Sequence, residues 1–279
     1  MRKINVVDII ETVRDMCIQA NCCLNHDVTG AIITGITIEE SDTGKEILSQ
    51  LIENATIAEN EMIPICQDTG MVICFIEIGQ EVYVDGNLEE AINEGVRRGY
   101  EEGFLRKSVV SDPLLRCNTG DNTPAIIHYE IVSGDRLKIS IAPKGFGSEN
   151  MSALKMLKPS DGVDGVIDFV LETVSKAGPN PCPPIVVGVG IGGTMEKAAL
   201  LAKKSLLRPL NETSNLPHIA ELEKTLLVKI NELGIGPGGL GGNITSLGVN
   251  VEVYPTHIAG LPVAVNLSCH VTRHMEVVL

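Results

Sequence analysis

The stretch Ile63-Pro64-Ile65-Cys66-Gln67-Asp68-Thr69-Gly70 organises the rest of this sequence. A thiol, an amide, a carboxylate and a hydroxyl follow one another at 66–69, between a proline and a glycine that favour a tight turn. Such a turn can be a surface loop with an inert cysteine, or it can present several polar groups to a ligand. Two further cysteines, Cys182 and Cys269, stand in similarly constrained segments far along the chain. The pattern favours three separated turns that meet at one metal centre.

Composition limits the classes of protein to which the chain can belong. With 279 residues, 44% hydrophobic residues and 21% charged residues, it has the composition of a folded globular protein. A formal charge of −14 and an aromatic content of 3% argue against nucleic acid as a partner, because nucleic acid needs cations and stacking surfaces. A small acidic substrate would need a local nest of arginine, lysine and backbone amides that overrides this charge.

The N-terminal residues contain no secretion signal, because Asp8 and Glu11 interrupt the apolar run. No apolar run approaches the roughly 18 residues of a membrane helix. We therefore expect a cytoplasmic protein with no membrane partner, whose eight cysteines stay reduced. The scattered cysteine spacing favours metal ligands and core residues over disulfides, and it contains no closely spaced zinc pattern.

Hydrophobic periodicity predicts a mixed α/β (α+β) fold with about seven helices and eight short strands in small mixed sheets. The lack of regular strand–helix alternation argues against a Rossmann sheet or a TIM barrel. We expect one domain over 1–279, with a helical N-terminal part over 1–60. Helices are predicted over 5–24, 39–58, 88–103, 161–177, 195–207 and 217–233, and strands over 71–78, 125–132, 136–142, 185–194, 249–254 and 263–267.

Two segments combine glycine or proline with groups that can bind a ligand. The run Lys-Gly-Phe-Gly-Ser-Glu-Asn at 144–150 lets the backbone approach a ligand, so its amides can form an anion nest. Cys182 has prolines on both sides, which remove backbone donors and stiffen the segment. Such stiffness suits a metal ligand that must be placed in advance.

A glycine pattern after the predicted strand 185–194 raises a different possibility. Gly188, Gly190 and Gly193 satisfy the Gly-x-Gly-x-x-Gly fingerprint of dinucleotide-binding proteins. The required acid occurs at Glu212, but it stands in a polar loop where the fingerprint demands the end of a second strand. A dinucleotide-binding oxidoreductase is therefore an alternative with an incomplete match.

Five motifs, taken together and in order, resemble a known family. They are Cys-Gln-Asp-Thr-Gly at 66–70, Asn-Thr-Gly-Asp-Asn-Thr-Pro at 118–124, Lys-Gly-Phe-Gly-Ser-Glu-Asn at 144–150, the Pro-Cys-Pro-Pro and Gly-Ile-Gly-Gly-Thr run at 181–194, and Pro-Thr-His-Ile-Ala-Gly-Leu-Pro at 255–262. Over about 60–275 the chain is similar to the iron–sulfur hydro-lyases, which include class I fumarate hydratase and L(+)-tartrate dehydratase.

The resemblance implies a [4Fe–4S] cluster held by Cys66, Cys182 and Cys269, with one iron left open. Thiolates are the soft ligands of such clusters, and an open iron can act as a Lewis acid on a substrate hydroxyl. The implied reaction is the reversible hydration of fumarate to L-malate, with L(+)-tartrate dehydratase or a methylfumarate hydratase as the alternatives. These substrates differ by one small group, so fumarate leads on family frequency alone.

Motif positions in the family imply the roles of the remaining residues. Asp68 and His257 are expected to form a catalytic acid–base pair. For His257 the competing interpretation is a core histidine bonded to a carbonyl. Substrate contacts are expected from one amide, one guanidinium and one backbone nest, namely Gln67, Arg106, Gly145, Phe146 and Gly147.

The resemblance also implies a partner chain. Single-chain members carry a further domain with a Lys-Gly-x-Thr segment, and no such segment occurs here before Leu279. We therefore expect one alpha-subunit domain that is inactive alone and needs a beta subunit to supply the remaining catalytic residues. The expected assembly is α2β2, and the expected substrate is a small dicarboxylate.

Overall fold

The fold class predicted from the sequence is confirmed by a computed structural model, which describes all 279 residues. The helices are α1 (Val6–Cys22), α2 (His26–Ile38), α3 (Asp42–Glu61), α4 (Leu88–Glu102), the single turn α5 (Phe146–Glu149), α6 (Gly162–Ala177), α7 (Met195–Ser205) and α8 (Pro217–Asn231). The strands are β1 (Arg2–Asn5), β2 (Met71–Gly79), β3 (Val82–Asp85), β4 (Ile126–Val132), β5 (Leu137–Lys144), β6 (Ala153–Leu157), β7 (Ile185–Gly192), β8 (Ser246–Tyr254), β9 (Leu261–Ser268) and β10 (Met275–Val278).

The strands form one sheet of two strands and two sheets of four strands. Neither a barrel nor a single Rossmann sheet is present, as predicted. The ten strands exceed the eight expected, because β1, β3 and β10 have only four residues each and are too short to show an alternating pattern. None of the helices has the length and apolarity that crossing a membrane requires.

Two compact units are built from segments that alternate along the chain. Unit 1 comprises Met1–Leu24, Ala55–Phe146 and Arg273–Leu279, and unit 2 comprises Asn25–Asn54 and Gly147–Thr272. The expectation of one domain over 1–279 stays a prediction.

Unit 1 contains the sheet β10-β5-β2-β4, in which β2 pairs with β5 antiparallel and with β4 parallel. Helices α1 and α4 pack against each other and share one core with this sheet. Gly95 permits the close approach of the two helices, since a Cβ there would lie 2.7 Å from Val13 Cβ. Because β2 begins at Met71, the sheet fixes the end of the Cys66–Gly70 turn.

Unit 2 contains the sheet β6-β9-β7-β8, whose valines and leucines share a core with α6 and α8. Helix α7 packs against β7 and β9. A Cβ at Gly188 would lie 2.3 Å from the Ala202 carbonyl oxygen, and a Cβ at Gly190 would lie 2.1 Å from the Ala198 carbonyl oxygen. Two glycines of the dinucleotide-like pattern therefore serve the close packing of α7 on the sheet.

Candidate functional site

Buried side chains hold the Cys66–Gly70 turn in unit 1 from one side. The Tyr100 hydroxyl oxygen lies 2.7 Å from the Thr69 carbonyl oxygen and 3.1 Å from that of Gly70. Asn122 Nδ2 also donates to the Gly70 carbonyl, at 3.1 Å. Burial raises the pKa of Tyr100, so its hydroxyl stays protonated and remains a donor. The end of the turn is thus fixed by hydrogen bonds to the backbone carbonyls of Thr69 and Gly70.

Gly70 allows the turn to lie directly against the end of β5. Its φ is +75°, and a Cβ there would lie 2.6 Å from the Lys144 carbonyl carbon. Only glycine fits that conformation and that spacing. The Thr69 hydroxyl donates to the Arg106 carbonyl at 3.1 Å, which fixes the backbone of Arg106 beside the turn.

The Asp68 carboxylate is held by two backbone amides. Its Oδ1 accepts a hydrogen bond from Gly70 N–H at 3.0 Å, and its Oδ2 accepts one from Phe146 N–H at 2.9 Å. The Asp68 amide in turn donates to Cys66 Sγ at 3.4 Å. A Cβ on Gly145 would lie 3.2 Å from Oδ2, so the glycine leaves this carboxylate room. The backbone amide of Asp68 therefore contacts the Cys66 thiol, while its carboxylate is held by two other amides.

A cavity of about 270 Å³ opens beside this carboxylate in unit 1. Asp68, Arg106, Arg116 and Phe146 line it, together with Val109. The guanidinium groups of Arg106 and Arg116 are exposed and make no hydrogen bond or ion pair within the chain. The cavity therefore presents two uncommitted cations in a chain whose net charge is strongly negative.

The other predicted substrate contacts of this unit are placed as follows. Gln67 is exposed, and its side chain makes no hydrogen bond within the chain. The Phe146 amide, which was expected to bind a substrate carboxylate, donates to Asp68. Gly145 adjoins Asp68, whereas Gly147 belongs to unit 2. Binding of substrate by these groups stays a prediction.

The turns that carry Cys182 and Cys269 come together in unit 2. The Cys182 carbonyl oxygen lies 3.1 Å from Nδ1 of His270, the residue that follows Cys269. Cys182 has a φ of +56°, a left-handed conformation that is strained for any residue other than glycine. Its N–H donates to the Pro179 carbonyl at 3.0 Å. The side chain is exposed, so a strained backbone presents an accessible thiol.

The glycine-rich segment over 234–242 supports the Cys182 turn. Gly238 N–H donates to the Pro183 carbonyl at 2.8 Å, and a Cβ on Gly239 would lie 2.3 Å from Pro179 Cβ. The segment is anchored by the Glu39 carboxylate, which is 2% exposed and accepts hydrogen bonds from Asn243 N–H and Ile244 N–H. Burial raises the pKa of Glu39, but the backbone N–H groups that it binds outweigh burial and lower this pKa overall.

His257 is exposed in unit 2, in the segment between β8 and β9. Its Nδ1 lies 3.2 Å from the Ala259 amide nitrogen and accepts that hydrogen bond. In the neutral imidazole the proton is therefore on Nε2. Because the side chain is exposed, His257 is not a core histidine, which was the competing interpretation. The pairing of His257 with Asp68 stays a prediction.

The cysteines differ in their ability to act as metal ligands. Burial raises the pKa of Cys74 to about 12 and that of Cys17 well above its usual value, so neither thiol ionises readily. Cys66 and Cys269 are half-buried, Cys182 is exposed, and no cysteine forms a disulfide. No three His, Cys, Asp or Glu side chains converge as ligands of a single metal ion. A four-iron cluster differs from such a site, because each thiolate binds a separate iron.

Arg273, in unit 1, provides a test of whether a negatively charged cluster fits here. Its side chain is 4% exposed, and its Nη2 donates to the Asp68 carbonyl at 2.5 Å. Its Nη1 is buried and has no hydrogen-bond partner. An anion beside the Cys66–Asp68 turn would supply that partner. The donor chemistry and this orphaned N–H group therefore fit an iron–sulfur cluster.

Four residues that shape the site were not predicted from the sequence: Tyr100, Asn122, Arg116 and Arg273. Asn122 lies within the motif at 118–124, so its position in that motif could have identified it as a site residue. Tyr100 was interpreted only as part of the apolar stripe of a helix. Arg116 and Arg273 carry no local pattern, and only the folded chain brings them to the cavity or to the turn.

Comparison with known proteins gives a consistent result. A family described as "Fumarate hydratase (Fumerase)" matches residues 10–278. The chain is 48% identical over 262 residues to the "Putative L(+)-tartrate dehydratase subunit alpha" of Methanocaldococcus jannaschii, covering 91% of this chain and 92% of that protein. It is 36% identical over 239 residues to the L(+)-tartrate dehydratase subunit alpha of Escherichia coli strain UTI89, covering 84% of this chain and 78% of that one.

Proposed function

The chain belongs to the iron–sulfur hydro-lyase alpha-subunit family, and we propose that it acts with a beta subunit on a small 2-hydroxy dicarboxylate. L(+)-tartrate is the leading substrate, because the relatives at 48% and 36% identity carry tartrate dehydratase names. This proposal replaces fumarate, which led from the sequence alone. Hydration of fumarate to L-malate is the second candidate, favoured by the description of the matching family.

The family uses an iron–sulfur cluster, and in this chain Cys66, Cys182 and Cys269 would hold it. When bound, the [4Fe–4S] cluster supplies a Lewis-acidic iron for the substrate hydroxyl. The three thiols are half-buried or exposed, whereas Cys74 is buried and its pKa is raised, which supports leaving Cys74 out of the ligand set.

The fixed carboxylate of Asp68 is the observation that carries the proposal. Two backbone amides hold it at the wall of the cavity, and the Asp68 amide contacts the thiol of Cys66. We assign to the Asp68–His257 pair the delivery of the proton with which the departing hydroxyl leaves as water. A base of the beta subunit takes the proton from the neighbouring carbon, so that a carbon–carbon double bond forms.

Arg106 and Arg116 give this cavity its preference for a dicarboxylate. Each guanidinium can donate two parallel hydrogen bonds to one carboxylate, and neither has an internal partner. The two side chains also provide local positive charge in a protein whose formal charge is −14. A substrate with a single carboxylate would leave one of these cations uncompensated.

The test is an assay of the anaerobically purified complex of alpha and beta chains with L(+)-tartrate, its stereoisomers, L-malate and fumarate. We expect kcat/KM to be at least about tenfold higher for L(+)-tartrate than for L-malate. The alpha chain assayed alone is the control and is expected to be inactive. A higher kcat/KM for L-malate and fumarate would favour the second candidate function, the hydration of fumarate to L-malate. No turnover of any of these compounds would contradict the proposed function.

A further inference from the structure

Arg273 is the one arginine whose side chain is below one tenth exposed, and it forms no ion pair within the chain. Its Nε donates to the Pro143 carbonyl at 3.2 Å, and its Nη2 donates to the Asp68 carbonyl at 2.5 Å. Both acceptors are neutral, and Arg273 forms no ion pair with any aspartate or glutamate. A guanidinium that is 4% exposed therefore has only uncharged backbone carbonyls as hydrogen-bond acceptors.

Arg208, the other largely buried arginine, also has one buried nitrogen without a partner, its Nε, but unlike Arg273 it forms an ion pair. Arg208, which is largely buried, pairs with the buried carboxylate of Glu223 and hydrogen-bonds to Asn250 Oδ1. Removing one partner from a buried charge is strongly destabilising, so buried ions are normally paired. Arg273 therefore departs from this rule, and an anion bound next to it would restore the usual pairing.

The geometry of the side chain indicates where that anion would bind. The guanidinium is a planar fork of five donors, and its Nε and Nη2 are already engaged by backbone carbonyls. The remaining nitrogen, Nη1, is buried and has no partner. Since Nη2 of the same rigid group contacts the Asp68 carbonyl, Nη1 also lies beside the Cys66–Asp68 turn.

We propose that Arg273 binds an anion at this turn through Nη1, while its Nη2 positions the Asp68 backbone and its Nε holds the Pro143 carbonyl. Two sources can supply such an anion: a carboxylate of the substrate, or the negatively charged iron–sulfur cluster. The inference rests on the proposed function for both sources. Arg273 is a binding residue in the first case and a residue that stabilises the cluster in the second.

The test uses the complex of alpha and beta chains with Arg273→Met and Arg273→Lys, each compared with the same substitution at Arg136. Arg136 is exposed and its side chain has no partner in the chain, so it reports the effect of losing a surface guanidinium. Succinate, which has no hydroxyl to lose, is titrated calorimetrically into the cluster-free complex. Iron and sulfide are measured after anaerobic loading of the cluster.

If the anion is a substrate carboxylate, we expect Arg273→Met to weaken succinate binding at least about tenfold with unchanged iron content. If the anion is the cluster, we expect the variant to lose at least half of its iron and sulfide, with succinate binding unchanged. If Arg273→Met does not fold, Arg273→Lys carries the same comparison, because lysine keeps the charge but loses the planar fork.

Succinate affinity and iron content that both stay within twofold of the Arg136 variants would overturn the inference, even if the Arg273 variants are less stable. Neither measurement requires turnover. A wild-type complex that dehydrates no dicarboxylate would therefore contradict the proposed function while leaving the anion site of Arg273 to be judged by these two measurements.

Discussion

The carboxylate of Asp68 accepts a hydrogen bond from the backbone N–H of Phe146, across 78 residues of chain, at 2.9 Å. This contact joins two of the sequence motifs, those at 66–70 and 144–150, through one pair of atoms. It also explains why a glycine occupies position 145, since a Cβ there would lie 3.2 Å from the same carboxylate oxygen. The catalytic assignment of Asp68 therefore depends on an amide that fixes the carboxylate beside the cavity.

Asp68→Asn should lower kcat of the alpha–beta complex by about 10²- to 10⁴-fold, because the amide cannot carry the proton. The variant should keep its iron content and its fold, since one amide oxygen still accepts a backbone hydrogen bond. Asp135→Asn, in an exposed turn, is the control and should be fully active. An Asp68→Asn complex with undiminished kcat would remove Asp68 from the mechanism.

Gly70→Ala should lower the free energy of unfolding by about 3 kcal/mol or more. Part of this loss is the left-handed backbone, at roughly 1–2 kcal/mol, and the rest is the overlap of the new Cβ with the Lys144 backbone. Gly120→Ala is a matched control, because φ is +82° there and no atom lies within 4 Å of the new Cβ. Equal losses in the two variants, measured by urea denaturation, would show that the contact with Lys144 is unimportant.

Glu39→Gln should destabilise the protein by about 2 kcal/mol at neutral pH, because a buried carboxylate loses charge-assisted hydrogen bonds. The folded-state pKa of Glu39 lies below its usual value of 4.5, so its stabilising contribution is complete above that pH. This contribution is lost as the pH falls through the folded-state pKa.

The stability difference between wild type and Glu39→Gln should therefore shrink below about pH 4.5. Glu40→Gln, at the exposed neighbouring position, is the control and should leave the free energy of unfolding unchanged. A difference that does not vary with pH would mean that Glu39 acts only through its shape.

Arg106→Gln and Arg116→Gln should each raise KM for the dicarboxylate by about 10- to 100-fold, with a smaller change in kcat. The reason is the loss of one charge-assisted contact to one carboxylate at the cavity wall. Arg136→Gln serves as the surface control. If KM stays constant in either variant, that arginine does not bind substrate.

Local patterns in the sequence were enough to predict several elements. The predicted strand over 71–78 corresponds to β2, and the predicted helix over 88–103 corresponds to α4. A continuous apolar run identifies β2, and an apolar stripe of helical period identifies α4, because both elements contribute side chains to the same hydrophobic core. The predicted helix over 5–24 corresponds closely to α1.

Helix α2 (His26–Ile38) was not predicted, because Gly30, Gly35 and several β-branched residues have low helix propensity. Tertiary contacts override that propensity, since Val28 and Ile32 are fully buried. Contacts between distant segments were also beyond prediction. The hydrogen bond from Arg273 to the Asp68 carbonyl spans 205 residues, and no spacing rule connects the two.

The proposed ligand set is tested by iron and sulfide analysis, with an absorbance spectrum, of the anaerobic alpha–beta complex carrying Cys66→Ser, Cys182→Ser or Cys269→Ser. Cys117→Ser is the control, because Cys117 is exposed but stands outside the proposed ligand set. We expect about four irons per alpha chain in the wild type and in the control, and loss of the cluster in each of the three variants. A colourless, iron-free wild type, or a variant of these three that keeps its iron, would contradict the proposed ligand set.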